Sequence, residues 1–257
     1  MYSFKDLKKA TGTETVQLPS VAINFNNKQL DTEIEAFQTL KVGGRETISV
    51  ELETVDTRNG SLILDERLPH RELLVTYLMS STSNTAFQND FKALRKLLTS
   101  DGEIPITFKD EPNTVYFGRL SDFEKVDDDS NTVIGTFKII CSSPFKYSNA
   151  VTTTGAVTID TFYPTQPDSI MLTIGTTTNK IQISHSEYTI SATGTFNAGA
   201  KVVLKFNKED MTMKVNGADA TYMIDLNSDF ENFELEKGQS VTSAQGTISL
   251  VARERWL

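Results

Sequence analysis

Short runs in which apolar and polar residues alternate one for one recur along most of this chain. A side-chain period of two is what a half-buried β-strand requires. The stretch Thr136–Asn149 shows the pattern most fully: Phe137, Ile139 and Cys141 alternate with Lys138 and Ile140. The alternation breaks at Ser142-Ser143-Pro144 and leaves Phe145 and Tyr147 around a lysine. From Asn149 to Thr178 the chain turns threonine-rich, with Asp160 and Asp168 as its only charged residues. A strand that ends on an aromatic pair ahead of such a shift marks a domain end, which divides the chain into 1–148 and 149–257.

A chain of 257 residues is one large or two modest domains, given about 100–200 residues per domain. The net charge of −9 is spread over both halves, and neither carries a basic stripe. Tight nucleic-acid binding draws its affinity from such stripes, so it is not expected. A single cysteine forms no internal disulfide. No apolar run approaches the roughly 18 residues of a membrane span, and MYSFKDLKKATGTE lacks the apolar core of a secretory signal.

In the first half, Val21–Phe25 reads as a strand. The segment Asn26–Glu46 is poorly periodic, with Leu30, Ile34, Phe37, Leu40 and Val42 scattered ahead of Gly43-Gly44 and Arg45. Roughly twenty residues of loop inside a compact domain tend to be functional or to pack on a neighbour. Thr47–Val55, with Ile48, Val50 and Leu52 on one face, and Leu62–Leu68 read as strands around the turn Arg58-Asn59-Gly60. Glu72–Met79 reads as a central strand.

One segment predicts a helix. In Thr85–Thr99, Phe87, Phe91, Leu94 and Leu98 fall on one stripe, with Thr85 and Gln88 as a capping box and Gly102 as the stop. A hairpin follows, Ile104–Lys109 and Thr114–Arg119 around Asp110-Glu111-Pro112-Asn113. Leu120–Val126 then leads through Asp127-Asp128-Asp129 to Thr132–Cys141.

The second half predicts strands at Val151–Ile159, Ile170–Ile174, Lys180–Ser184, Tyr188–Ile190, Lys201–Phe206, Met211–Val215, Tyr222–Leu226 and Thr247–Trp256, with Asn216-Gly217 as a hairpin turn. Strands without an amphipathic helix indicate a β-sandwich or jelly roll.

Chemistry is hard to find. His70 and His185 are far apart, with no second ligand at metal spacing, and both read as surface residues. Cys141, at the end of an alternating strand, reads as a buried thiol. Gly43-Gly44 is no phosphate loop. The acidic tripeptide lacks the distal glutamate of a calcium loop. Nothing selects one carboxylate pair among 34 acids for glycoside hydrolysis or wall cleavage. Trp256 reads as packing on its own domain, with a sugar-stacking platform as the other reading. No catalytic, cofactor-binding or metal residues are expected, and no cofactor.

The order of these elements resembles the distal tail protein (Dit) family of long-tailed, non-contractile phages. Phe137, Cys141, Pro144, Phe145 and Tyr147 are similar to the aromatic ending of that family's first domain. FYPTQPDSIMLTIG (Phe162–Gly175) is similar to the start of its second. DFENFELEKGQS (Asp229–Ser240) resembles its "Phe-x-x-Leu-x-Pro-Gly-x-Asn" stretch, with Glu236-Lys237 at the proline, and ARERWL resembles its closing strand.

The resemblance implies a mainly β protein with one helix. Its N-terminal domain would be sandwich-like or barrel-like, with an extended belt loop, and its C-terminal domain a galectin-like β-sandwich. It implies a structural hub at the distal end of a virion tail, made in the cytoplasm of a Gram-positive host, from a phage or prophage. A homohexameric ring would join the tail tube protein to a tail-associated fibre-like protein and support adsorption proteins. The belt would be Leu30, Ile34, Phe37, Leu40, Val42 and Arg45, wrapping a neighbour in a head-to-tail contact. Pro144, Phe145 and Tyr147 would form the inter-domain junction. A carbohydrate-binding adaptor that contacts host wall polysaccharide through the second domain is the alternative.

Overall fold

The computed structural model describes residues 18–47, 49–124, 130–207 and 210–257. Ile48 and Asp127-Asp128-Asp129 lie outside them. The chain divides into two compact units, Met1–Lys146 with Leu257, and Tyr147–Trp256.

The first unit begins with a tight hairpin, β1 (Ile23–Phe25) and β2 (Lys28–Gln29). Asn26 and Asn27 make its turn at φ 54° and 60°, the left-handed region that asparagine tolerates. A single turn of helix, α1 (Leu30–Glu33), leads to β3 (Phe37–Gly43). Asp31 ties the two together: its carboxylate accepts from the Thr39 backbone at 2.7 Å and the Thr39 hydroxyl at 2.8 Å. Burial raises the Asp31 pKa against those bonds.

The expected loop Asn26–Glu46 is therefore largely ordered local structure. Leu30, Ile34 and Phe37 are 0%, 3% and 0% exposed, inside the unit's own core. Their side chains fill that core.

Next come β4 (Glu51–Thr57), β5 (Gly60–Arg67), β6 (Arg71–Ser80), α2 (Asn84–Leu98), β7 (Ile104–Phe108), β8 (Glu111–Phe123) and β9 (Thr132–Cys141). Among the described residues, seven strands of this unit follow one another antiparallel in the order β2-β1-β7-β8-β9-β6-β3, the main path of a nine-stranded sheet. Strand β6, expected at the centre, lies next to the edge strand β3. Its odd-numbered residues are buried, whereas Leu74 on the other face is 47% exposed. The strand expected at Thr114–Arg119 and the described part of the one expected at Leu120–Val126 run together as one strand, β8, which ends at Phe123; its turn closes earlier than expected, at Lys109-Asp110.

Helix α2 packs Phe87, Leu94 and Leu98 into the sheet's core. Its cap is Ser83 in place of Thr85: the Ser83 hydroxyl accepts from the Ala86 N–H at 3.2 Å. Replacing Ser83 with alanine is expected to lower stability by about 0.5–2 kcal/mol, read as a shifted denaturation midpoint.

The second unit is a sandwich. After β10 (Lys146–Ser148) come β11 (Val151–Thr153), β12 (Ser169–Ile174), β13 (Thr178–His185), β14 (Tyr188–Phe196), β15 (Lys201–Asn207), β16 (Asp210–Val215), β17 (Ala218–Asp219), β18 (Gly246–Ala252) and β19 (Arg255–Trp256). A six-stranded sheet, β11-β18-β12-β15-β16-β17, lies across the pair β13-β14. Ile170, Leu172 and Leu204 of one layer share a core with Ile181, Ile183 and Phe196 of the other. The expected strand Tyr222–Leu226 is instead a 3-10 turn, Thr221–Met223, followed by irregular chain that leaves Tyr222 and Leu226 exposed. His185, expected in solvent, is 1% exposed. Cys141 is buried, as its strand position predicts.

Candidate functional site

Among the described residues, strands β4 and β5 pair only with each other, and every residue in both is exposed. The ribbon nevertheless carries Leu52, Val55, Leu62, Ile63 and Leu64, each between 50% and 58% exposed, and Val50 just before it is 47% exposed. The register pairs Thr54 with Ile63 and Val55 with Leu62. Leu62 and Ile63 therefore point to opposite faces, and the ribbon is apolar on both. A two-stranded ribbon without a packed face is marginal in water, and exposed apolar strand surface invites pairing. At ~3.3 Å per residue its arms reach about 25 Å.

Its root is fastened with unusual density. Arg71 opens β6, buried, and its Nη1 donates to the carbonyls of Gly44, Arg45 and Thr47 at 3.0, 2.5 and 3.1 Å. Its Nε donates to the Pro144 carbonyl at 2.9 Å. Arg45 is held by both oxygens of Asp110, at 2.8 and 2.9 Å, and by Glu111 at 3.3 Å, over the Phe108 ring. Burial works against the Arg45 charge, but the Asp110 bond and the charges of Glu111 and Asp110 outweigh it and raise the pKa. A cavity of about 370 Å³ opens beside this clamp, bounded by Leu68, Pro69, His70 and Leu257.

Gly44 explains the glycine pair. It sits at φ +86°, and a Cβ there would run into the Glu72 carbonyl. Gly44→Ala is expected to destabilise the root by about 1–3 kcal/mol, seen as faster amide exchange at 44–47.

Two exposed carboxylates complete the root. Lys146 hydrogen-bonds Glu46 at 2.7 Å and holds its pKa below 4.5. Lys138, then His70, do the same for Glu72. Groups with depressed folded pKa values stabilise above their unfolded values and lose that contribution as the pH falls through the folded ones. Root loosening from these pairs is therefore expected only in acid below about pH 4.5, checked by exchange at 44–47 against pH.

Of the sequence-predicted site residues, Arg45 is at this root, Leu40 and Val42 are partly buried on β3, and the other three are core. Pro144 and Phe145 end the first unit and Tyr147 begins the second. All three are half-buried. Among the described residues no cluster of His, Cys, Asp or Glu could hold a metal ion, and no helix is long and apolar enough to cross a membrane.

Both halves of the chain are similar to known proteins. Residues 24–160, more than half of the chain, match the phage tail protein RIFT-related domain. Residues 160–256 match the C-terminal domain of the siphovirus-type tail component. The chain belongs to the distal tail protein family.

Among members of the family, the distal tail protein of Bacillus phage SPP1 is 33% identical over 120 residues, 46% of this chain. The match spans about half of that relative, 47% of its length. The crystal structure of SPP1 Dit, described as a paradigm of hub adsorption apparatus in Gram-positive infecting phages, superposes with a TM-score of 0.68 at 21% identity. That superposition covers 92% of this chain and 99% of SPP1 Dit. A chain of the phage P2 baseplate, in its activated conformation with calcium, gives 0.59 at 8% identity, covering 84% and 90%. At these identities the superpositions speak for the fold.

Proposed function

We propose that this distal tail protein is a structural hub that closes into a homohexameric ring through the β4–β5 ribbon. The observation that carries the reading is an exposed ribbon, apolar on both faces, on a rigidly clamped root. The investment in Arg71, Gly44 and Arg45 makes sense if the ribbon's direction matters to something that covers it. A second copy is the fitting occupant. The outer face of the same unit's sheet carries Leu74 and Ile134, 47% and 65% exposed, and a head-to-tail contact between ribbon and sheet closes by rotation. The belt expected in Asn26–Glu46 thus moves to the ribbon that follows it.

In this reading the ring sits in the virion, between the tail tube protein and a tail-associated fibre-like protein. The second unit supports adsorption proteins, and Pro144, Phe145 and Tyr147 form the passage between units. The relatives' description as hub and baseplate components supports a scaffold over an enzyme. Sedimentation velocity tests it: a species near six times the 28.6 kDa chain mass is expected. A strict monomer at all concentrations, also with tail partners present, would refute it.

A further inference from the structure

His185 ends β13 at the turn Ser186-Glu187, its ring in the core of the second unit. Its Nε2 accepts a hydrogen bond from the Glu236 backbone N–H at 2.9 Å, and the ring lies 5.9 Å from that of Phe233. A ring nitrogen that accepts carries no proton, so the hydrogen is assigned to Nδ1. Nδ1 is buried without a hydrogen-bond partner among the described residues.

The Glu236 peptide belongs to Asp229–Ser240, the irregular segment that stood out in the sequence. Phe233 and Leu235 plug the core at 0% and 2% exposure. The backbone N–H groups of Leu235, Lys237 and Gly238 donate to the Thr165 carbonyl, the Thr161 hydroxyl and the Val157 carbonyl, at 2.8, 3.1 and 3.1 Å. The Ser186 hydroxyl donates to the Glu236 carboxylate at 3.2 Å. The His185–Glu236 bond ties the middle of this segment to the end of β13, while its start, Asp229, is bonded to Thr189 of β14 at 2.9 and 3.1 Å.

An imidazolium has two donors and no acceptor. A proton on Nε2 would face the Glu236 N–H, donor against donor, and a charge in the core would have no counter-ion bonded to it. The ring takes up a second proton only by giving up this tie. Outside, the charge would be welcome. Glu187 adjoins in the turn, Glu234 and Glu236 lie on the segment, and Asp229 begins it. Lys237 is 3.8 Å from Asp160. Tyr188 on β14 has its pKa raised, by burial and then by Glu187, Glu234, Glu236 and Asp229, which places these carboxylates in one neighbourhood.

We propose that His185 and the segment Asp229–Ser240 form an acid-released latch in the second unit. It is closed while the imidazole is neutral and opens when the imidazole takes up a proton. The closed form excludes a proton that the open form binds. Its stability therefore falls as the pH drops and the imidazole takes up its second proton. The latch rests on contacts inside the second unit and is independent of ring assembly.

The test is hydrogen exchange of the full-length chain at about pH 7.5 and 5.5, corrected for the intrinsic pH dependence of exchange, on wild type, His185→Gln and His70→Gln. Wild-type amides within 229–240 are expected to exchange ten-fold or more faster at the lower pH, while those of β12 hold. His185→Gln keeps an acceptor without a titrating ring and is expected to be flat; His70→Gln should behave as wild type. Equal pH responses in wild type and His185→Gln, or none in wild type, would overturn the latch. Should His185→Gln fail to fold, exchange at the wild-type imidazole C2 carbon reports protonation of His185 directly. Its titration should track opening of the segment, and protonation without opening would overturn the proposal equally.

Discussion

Replacing Leu62 and Ile63 together with glutamate is expected to leave the subunit folded and to weaken self-assembly by about 10²- to 10⁴-fold. The two side chains lie on opposite faces of the ribbon and are 58% and 57% exposed in the single chain. Neither contributes to a core, so the change to subunit stability should stay within about 0.5 kcal/mol. Covered by a neighbour, each would gain about 1.5–3 kcal/mol from burial. Losing both removes about 3–6 kcal/mol per contact, which sets the fold-change. Sedimentation across a concentration series reads the assembly, and circular dichroism reads the fold. An unfolded variant would mean that the ribbon supports its own unit; an unchanged oligomer would take the ribbon out of the interface.

The second large effect is expected at Arg71. Its guanidinium satisfies the carbonyls of Gly44, Arg45, Thr47 and Pro144 from one buried position. Arg71→Ala removes the donors and leaves the acceptors behind, and breaking a buried charged network of this kind costs about 3–5 kcal/mol. Lysine should not rescue it, because an ammonium lacks the planar fork that reaches carbonyls on both sides. Amide exchange should accelerate throughout 44–70 and leave β13–β14 of the second unit unchanged. Assembly should weaken with it, since a ribbon without a fixed root has many directions in which to point.

The distance between sequence and structure is instructive in this first unit. Strand β9 was legible to the residue, because Thr132–Cys141 alternates cleanly and ends at a proline break. Helix α2 was equally plain, since its stripe at three and four residues has no strand reading. The segment Asn26–Glu46 misled because its elements are too short to show a period. A three-residue strand, a two-residue strand and one helical turn each place one or two apolar residues in the core. The ribbon misled in the opposite sense. Its strands and its Asn59-Gly60 turn were visible, but alternation cannot distinguish a core-facing strand from one exposed on both faces. The signal was there in Leu62-Ile63-Leu64, three apolar residues in succession that load both faces, in a strand otherwise too charged to be buried.

In the second unit, His185 was misread because Ser184, Ser186 and Glu187 surround it with polar neighbours, and one inward side chain at a strand end leaves no pattern. The structure finds it by its burial and by the backbone N–H that it accepts. Tyr222–Leu226 has strand-like composition, yet the chain turns there and the tyrosine faces solvent. Composition reports what a segment prefers, and long-range packing decides whether a partner strand is within reach.

In the proposed assembly the ribbon closes a ring of identical subunits. Electron microscopy of the purified full-length chain, imaged beside the Leu62→Glu/Ile63→Glu variant, tests this most directly. Six-fold rings are expected for the wild type and dispersed single subunits for the variant. Single subunits in the wild type, or intact rings in the variant, would contradict it.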